Sequence, residues 1–178
     1  QEGLKNTVAT LGTAVSATQL EKLFKETTKL IFCFDGDHAG QSAARKALEL
    51  SLPLLKDERQ IEFSFLPDGS DPDALVRKVG ADKFFESCET MSVVDFLLET
   101  VHEKLKPTTN NTNAATVALA KPLILTIADN TQRAAAIRAL AEKTGFDQSI
   151  LWRELNPQVK RRQLKGVDVN LSRFSARP

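Results

Sequence analysis

Apolar positions along this 178-residue chain follow two periods. In the first half, short apolar runs alternate with helical patterns. NTVATLG (Asn6 to Gly12) predicts a short strand ended by glycine. AVSATQLEKLFKET then predicts a helix, with Ser16 and Gln19 spaced as a capping box in which each side chain satisfies an orphan backbone donor. Leu20, Leu23 and Phe24 form its apolar stripe. LIFCF (Leu30 to Phe34) predicts a second strand, apolar on both faces as in the centre of a parallel sheet covered by helices. A second helix follows from about Ala39 to Leu52, lined by Ala43, Ala44, Ala47 and Leu48. IEFSFLP (Ile61 to Pro67) alternates, with Ile61, Phe63 and Phe65 on one face and Glu62 and Ser64 on the other. That predicts a strand near a sheet edge.

Strand, helix, strand, helix, strand is the signature of an α/β unit with right-handed crossovers. After Gly80 the pattern turns helical and no strand signal returns. ADKFFESCE, SVVDFLLETVHEKL, TNAATVALAKPLILTIAD, NTQRAAAIRALAEKTG and DQSILWRELN all read as helices. Pro107 with TTNNTN separates two of them, and Gly145 reads as a C′ stop. The predicted division is an α/β part over residues 1–90, a helical bundle over 91–157 and a tail over 158–178, with no internal repeat.

Composition adds little until the charge is split. The net charge is +1, yet from Gln158 onward Lys160, Arg161, Arg162, Lys165, Arg173 and Arg177 face one acid, Asp168. A mildly acidic body with a basic tail does not indicate nucleic acid by charge alone, and the tail reads as a solvated linker. No apolar run has the length of a membrane span. Cys33 and Cys88 are too few for a disulfide framework. Both read as packing residues, Cys33 as a reduced thiol within its apolar run, and the cytoplasm is the expected compartment. His38 reads as an exposed first-turn residue and His102 as structural, which leaves little for zinc. Trp152 is expected to anchor the last helix. The chain starts at Gln1 and its only methionine is Met91, so it reads as a piece of a longer protein.

The chemistry concentrates in two acidic loops. Asp35 and Asp37 follow the LIFCF strand, and Asp68, Asp71 and Asp73 follow IEFSF. In a parallel sheet the functional crevice lies at the carboxyl ends of the strands, where both loops fall. Capping alone explains Asp37, and it explains Asp71 ahead of Pro72 at the first helical position. Capping does not require two acids at i and i+2 in each of two loops. Carboxylates brought together repel unless a cation neutralises them, and hard oxygen ligands suit Mg²⁺ or Mn²⁺. We therefore read Asp35, Asp37, Asp71 and Asp73 as metal ligands for phosphoryl chemistry rather than caps only. An EF-hand starting at Asp35 fails, because Ala39 and Lys46 stand at its fifth and twelfth positions. An aspartyl-nucleophile phosphatase is the alternative. Such enzymes usually carry Thr or Val where this chain has Ala39, and no catalytic lysine is evident downstream.

ATLGTA (Ala9 to Ala14), CFDGDHAG (Cys33 to Gly40) and LPDGSDPDALVRKVG (Leu66 to Gly80) resemble, in order and spacing, the Toprim domain of DnaG-type bacterial replicative primases. The two aspartate pairs alone would indicate only Toprim, which topoisomerases and some nucleases share. The LPDG and ATLGTA segments and the helical stretch after them narrow the resemblance to primases. It covers Gln1 to about Asn156 and is strongest through Gly80.

The resemblance implies metal-dependent synthesis of short RNA primers on single-stranded DNA from ribonucleoside triphosphates. It implies a Toprim-type parallel sheet followed by an all-α bundle. Asp35 and Asp37 match the family's metal-binding pair and Asp71 and Asp73 its second acidic pair, while Asp68 and Gly69 would shape that loop. The family's glutamate, in an E-G-Y-x-D segment on a preceding strand, has no counterpart here, and Glu2 does not match it. The resemblance places that strand, a zinc-binding domain and the nucleotide-gripping part upstream, and the helicase-binding domain beyond Pro178. Zinc is thus expected only in a domain absent here, and the helicase as a partner only through another. The fragment alone is expected to bind metal weakly and make no primers. A non-catalytic docking role for Ser92 to Asn156 is a third reading, compatible with the first.

Overall fold

The computed structural model describes residues 4–10, 15–56, 58–67, 69–105 and 112–156. The elements run α1 (Ala17–Glu26), β1 (Lys29–Phe34), α2 (His38–Ser51), β2 (Gln60–Phe65), α3 (Pro72–Val79), β3 (Glu89–Ser92), α4 (Val93–Glu103), α5 (Thr112–Thr126), α6 (Asn130–Thr144) and α7 (Gln148–Leu155). The chain thus folds as α/β with a helical carboxyl-terminal half. The tail after Asn156 lies outside the described residues.

The local signals hold. Gln19 N–H donates to Ser16 Oγ (3.3 Å) and Ser16 N–H to Gln19 Oε1 (2.8 Å), so the capping box at α1 is complete. Gly145 ends α6 in the left-handed region (φ 71°), its N–H on Ala141 O at 2.8 Å. Asp129 caps α6 and Asp147 caps α7. Trp152 packs against the main core, as expected for an anchor of α7.

The sheet departs from expectation in three ways. Its order is β1-β2-β3, with β1 parallel to β2 and β2 antiparallel to β3. The sheet is therefore mixed. β3 was not expected, because ADKFFESCE reads as helix. It instead makes two 3-10 turns and leads into a four-residue strand. So short a strand has no period of its own. Pairing selects it, with Met91 opposite Phe63 and the Thr90 hydroxyl 2.9 Å from that of Ser64.

The second departure concerns β1. It is an edge strand among the described residues, and β2 is central. Leu30, Phe32 and Phe34 are half-buried, whereas Lys29, Ile31 and Cys33 are exposed. An apolar run reports an affinity for burial but not which neighbours supply it. Cys33 is accordingly not the packed thiol expected. Third, the described part of Asn6–Gly12 is irregular, with Val8 70% exposed. β-propensity alone makes no strand without a ladder partner.

The main core is continuous from α1 to α7, running from Phe24 through Leu48 and Phe63 to Leu155. Its centre is an aromatic ladder. The Phe63 ring lies 5.2 Å from Phe32 and 4.6 Å from Phe96, and Phe65 lies 5.3 Å from Phe96. Those contacts bolt α4 to the sheet, each offset or tilted pair adding about 0.5–1.5 kcal/mol beyond burial. Leu66, Leu75, Val76 and Phe84 form a separate small cluster beneath α3. Buried Arg133 holds the α5–α6 turn, donating from Nε to Ile127 O (3.1 Å) and from Nη2 to Ala128 O (3.4 Å). The guanidinium thus satisfies carbonyls just beyond α5 that would otherwise be orphaned.

Candidate metal centre at the carboxyl edge of the sheet

The parallel pairing of β1 and β2 sets the site. Phe34 stands opposite Phe65, and the next amide, Leu66 N–H, donates to Phe34 O at 2.9 Å. Two parallel neighbours in register end at the same edge, so the loops that follow start side by side there. Asp35, Gly36 and Asp37 form the first loop. Leu66 to Asp71 form the second, in which Ser70 N–H donates to Pro67 O at 3.0 Å and Gly69 adopts φ 71°. Asp68 lies outside the described residues.

Asp37 caps α2, accepting from Gly40 N–H at 2.7 Å. Asp71 caps α3, accepting at Oδ1 from Asp73 N–H (2.9 Å) and Ala74 N–H (3.2 Å), with Pro72 at the first helical position. Asp73 Oδ2 pairs with Arg77 Nη2 at 3.0 Å, one turn along α3. Asp35, Asp37, Asp71 and Asp73 are all exposed. Helix amides and one guanidinium therefore engage three of these acids.

Asp35 influences a neighbour through charge. Although Cys33 is exposed as a residue, loss of water around its sulfur pushes its thiol up to about 11. The Cys88 thiol and the Asp35 carboxylate add to the rise. Cys88 packs against the small cluster, its Sγ donating to Phe84 O at 3.2 Å. Cys33 stands opposite Ser64 and Cys88 is next to Glu89, which stands opposite Phe65.

Among the described residues, no group of three or more His, Cys, Asp and Glu side chains comes together as a metal cluster. The four aspartates stand as two pairs on one sheet edge. Their chemistry still fits Mg²⁺ or Mn²⁺. The caps of Asp37 and Asp71 both use Oδ1, and an ionised carboxylate has roughly four acceptor positions on two oxygens. Mg²⁺ takes one or two carboxylates and completes its shell with water and phosphate. His38 is exposed on the first turn of α2, as expected. His102 is exposed on α4 and lines a groove of about 490 Å³ with Met91, Asp95, Leu98, Glu99 and Glu142. That groove lies on other elements than the acidic loops.

A family model described as Toprim-like matches residues 1–76, the span holding Asp35, Asp37, Asp71 and Asp73. A second, described as the DnaB-helicase binding domain of primase, matches residues 94–149. A DNA primase of Pseudomonas putida is 42% identical over 149 residues, 83% of this chain and 23% of the relative. The Escherichia coli DNA primase is 41% identical over 147 residues, 82% of this chain and 25% of the relative. The chain belongs with the DnaG-type DNA primases. Solved primase structures carry the same fold. A DnaG catalytic core superposes with TM-score 0.75 at 38% identity, covering 84% of this chain and 49% of that one. A Pseudomonas aeruginosa primase domain gives 0.76 at 36% identity, covering 90% and 49%. This chain spans about a quarter of the length of its curated primase relatives. The helicase-binding match falls inside the helical half, whereas that contact was expected only beyond Pro178. Among the described residues, no helix is long and apolar enough to cross a membrane.

Proposed function

We propose that this chain forms the metal-holding part of a primase catalytic core, with Asp35, Asp37, Asp71 and Asp73 as its carboxylate ligands. The observation that carries this is the in-register parallel pairing of β1 and β2, which starts both acidic loops at one edge inside the Toprim-like match. When bound, Mg²⁺ or Mn²⁺ would polarise phosphoryl oxygens and stabilise the developing charge of nucleotidyl transfer. The chain's own work is positioning. α2 and α3 fix Asp37 and Asp71 through their first-turn amides, so the carboxylates reach the ion without a further ordering cost. The substrates in this reading are ribonucleoside triphosphates and a single-stranded DNA template. A related DnaG catalytic domain has been solved bound to ssDNA, with TM-score 0.67 and 38% identity over 74% of this chain.

Equilibrium binding of a fluorescent ribonucleoside triphosphate tests the proposal. Binding is expected to require Mn²⁺ and to be lost in Asp35→Asn and Asp71→Asn. Nucleotide binding that ignores both metal and substitutions would contradict it.

The match over residues 94–149 favours a second role for α4 to α7, contact with the replicative helicase. A pull-down with purified DnaB-type helicase checks it. Capture that survives Asp35→Asn is expected, and absence of capture would count against this role.

A further inference from the structure

Gly40 touches both members of the first acid pair. A Cβ added there would lie 2.0 Å from the Asp35 carbonyl oxygen, 2.8 Å from its carbonyl carbon and 3.0 Å from its amide nitrogen. All three atoms are backbone, so no side chain can swing aside. Gly40 N–H meanwhile donates to Asp37 Oδ1 at 2.7 Å. One residue thus lies against the peptide of Asp35 and binds the carboxylate of Asp37. Space decides this, not unusual backbone angles, since Gly40 sits within the first turn of α2.

A larger residue at position 40 forces either the helix or the loop to move. α2 is fixed by Ala44 (0% exposed), Ala47 (0%) and Leu48 (1%) in the main core. The Asp35–Asp37 loop carries two exposed aspartates around a glycine and is the softer side. The displacement therefore falls on the two carboxylates. We infer that Gly40 is a positioning residue that sets the placement of Asp35 and Asp37 for ligand binding, separately from holding the fold. The inference rests on the metal reading above for what the placement serves, but not for the placement itself.

The test compares wild type, Gly40→Ala and Asp35→Asn by backbone amide NMR without metal, then by Mn²⁺ titration. Gly→Ala inside a helix ordinarily adds stability, but here the added Cβ meets backbone at 2.0 Å, so stability is expected to fall whatever the role of the residue, and the local amide shifts and Mn²⁺ affinity decide. The expected result is that Gly40→Ala moves the amides of Asp35, Gly36 and Asp37 and leaves those of Ala44 to Leu48 in place. Mn²⁺ affinity should fall by about 10–100-fold, the usual effect of losing a group that orients a ligand. Unmoved Asp35–Asp37 amides overturn the inference. So does unchanged Mn²⁺ affinity in Gly40→Ala when Asp35→Asn loses it. Mn²⁺ affinity unchanged in both variants, or absent from wild type, sinks the metal reading instead, and the amide shifts still decide the placement. Should Gly40→Ala fail to fold, the wild-type chain decides through proton–proton contacts between Gly40 Hα and the Asp35 amide, whose absence overturns the inference.

Discussion

The two acidic loops leave the same sheet edge but are mounted differently. The loop of Asp35 and Asp37 leads into α2, whose Ala44, Ala47 and Leu48 are sealed in the core that runs from α1 to α7. The loop ending at Asp71 leads into α3, which carries Asp73 in its first turn and contributes Leu75 and Val76 to the small cluster with Leu66 and Phe84. Local capping is stronger at the second loop, where Asp71 takes two amides and Asp37 one. The helix behind the first loop is thus held by the main core, and the helix behind the second by a smaller cluster and a stronger cap.

The largest expected effect tests the packing side. Leu48→Ala should cost about 2–5 kcal/mol in urea unfolding followed by Trp152 fluorescence, because a fully buried leucine leaves a cavity in the main core. Leu75→Ala should cost about 2 kcal/mol, and hydrogen exchange should rise in α3 but not in α2. Equal, global losses from both would erase the contrast. Next in size are the caps. Asp71→Ala should cost about 1–2 kcal/mol and Asp37→Ala about 0.5–1 kcal/mol, measured by thermal unfolding. The reverse order would mean that capping does not carry the second loop. Breaking the exposed Asp73–Arg77 pair with Asp73→Asn should change stability by less than about 0.5 kcal/mol.

The smallest effect is a pH profile. The Cys33 thiol is raised to about 11, so the folded state favours its protonated form. Its contribution to stability is fully present below the ordinary thiol value of 9.0 and is lost as pH rises through about 11. Maleimide labelling of Cys33 should therefore accelerate only at high pH. Asp35→Asn should shift that profile downward, because the Asp35 carboxylate is one of the groups that raise the thiol. An unchanged profile would show that the Asp35 carboxylate does not face the Cys33 sulfur.

What the sequence revealed follows the range of the forces involved. Caps and stops at Ser16, Asp71 and Gly145 act over three or four residues, so they were legible. The helices after Val93 were legible for the same reason. β3 was not, because a four-residue strand is selected by Phe63 and Ser64 rather than by its own pattern. Nor was the exchange of roles between β1 and β2, since LIFCF says nothing about what covers it. The aspartate pairs were visible as a motif and their shared edge followed from parallel pairing. How close their carboxylates stand depends on loop paths that spacing does not set.

The exposed aspartate pairs are proposed to hold a divalent ion. Mn²⁺ titration followed by electron paramagnetic resonance, on wild type, Asp35→Asn and Asp71→Asn, tests it most directly. Saturable binding to the wild-type chain is expected, weakening about tenfold or more in each variant. Wild-type chain that takes up no Mn²⁺, or takes it up equally in all three, would contradict it.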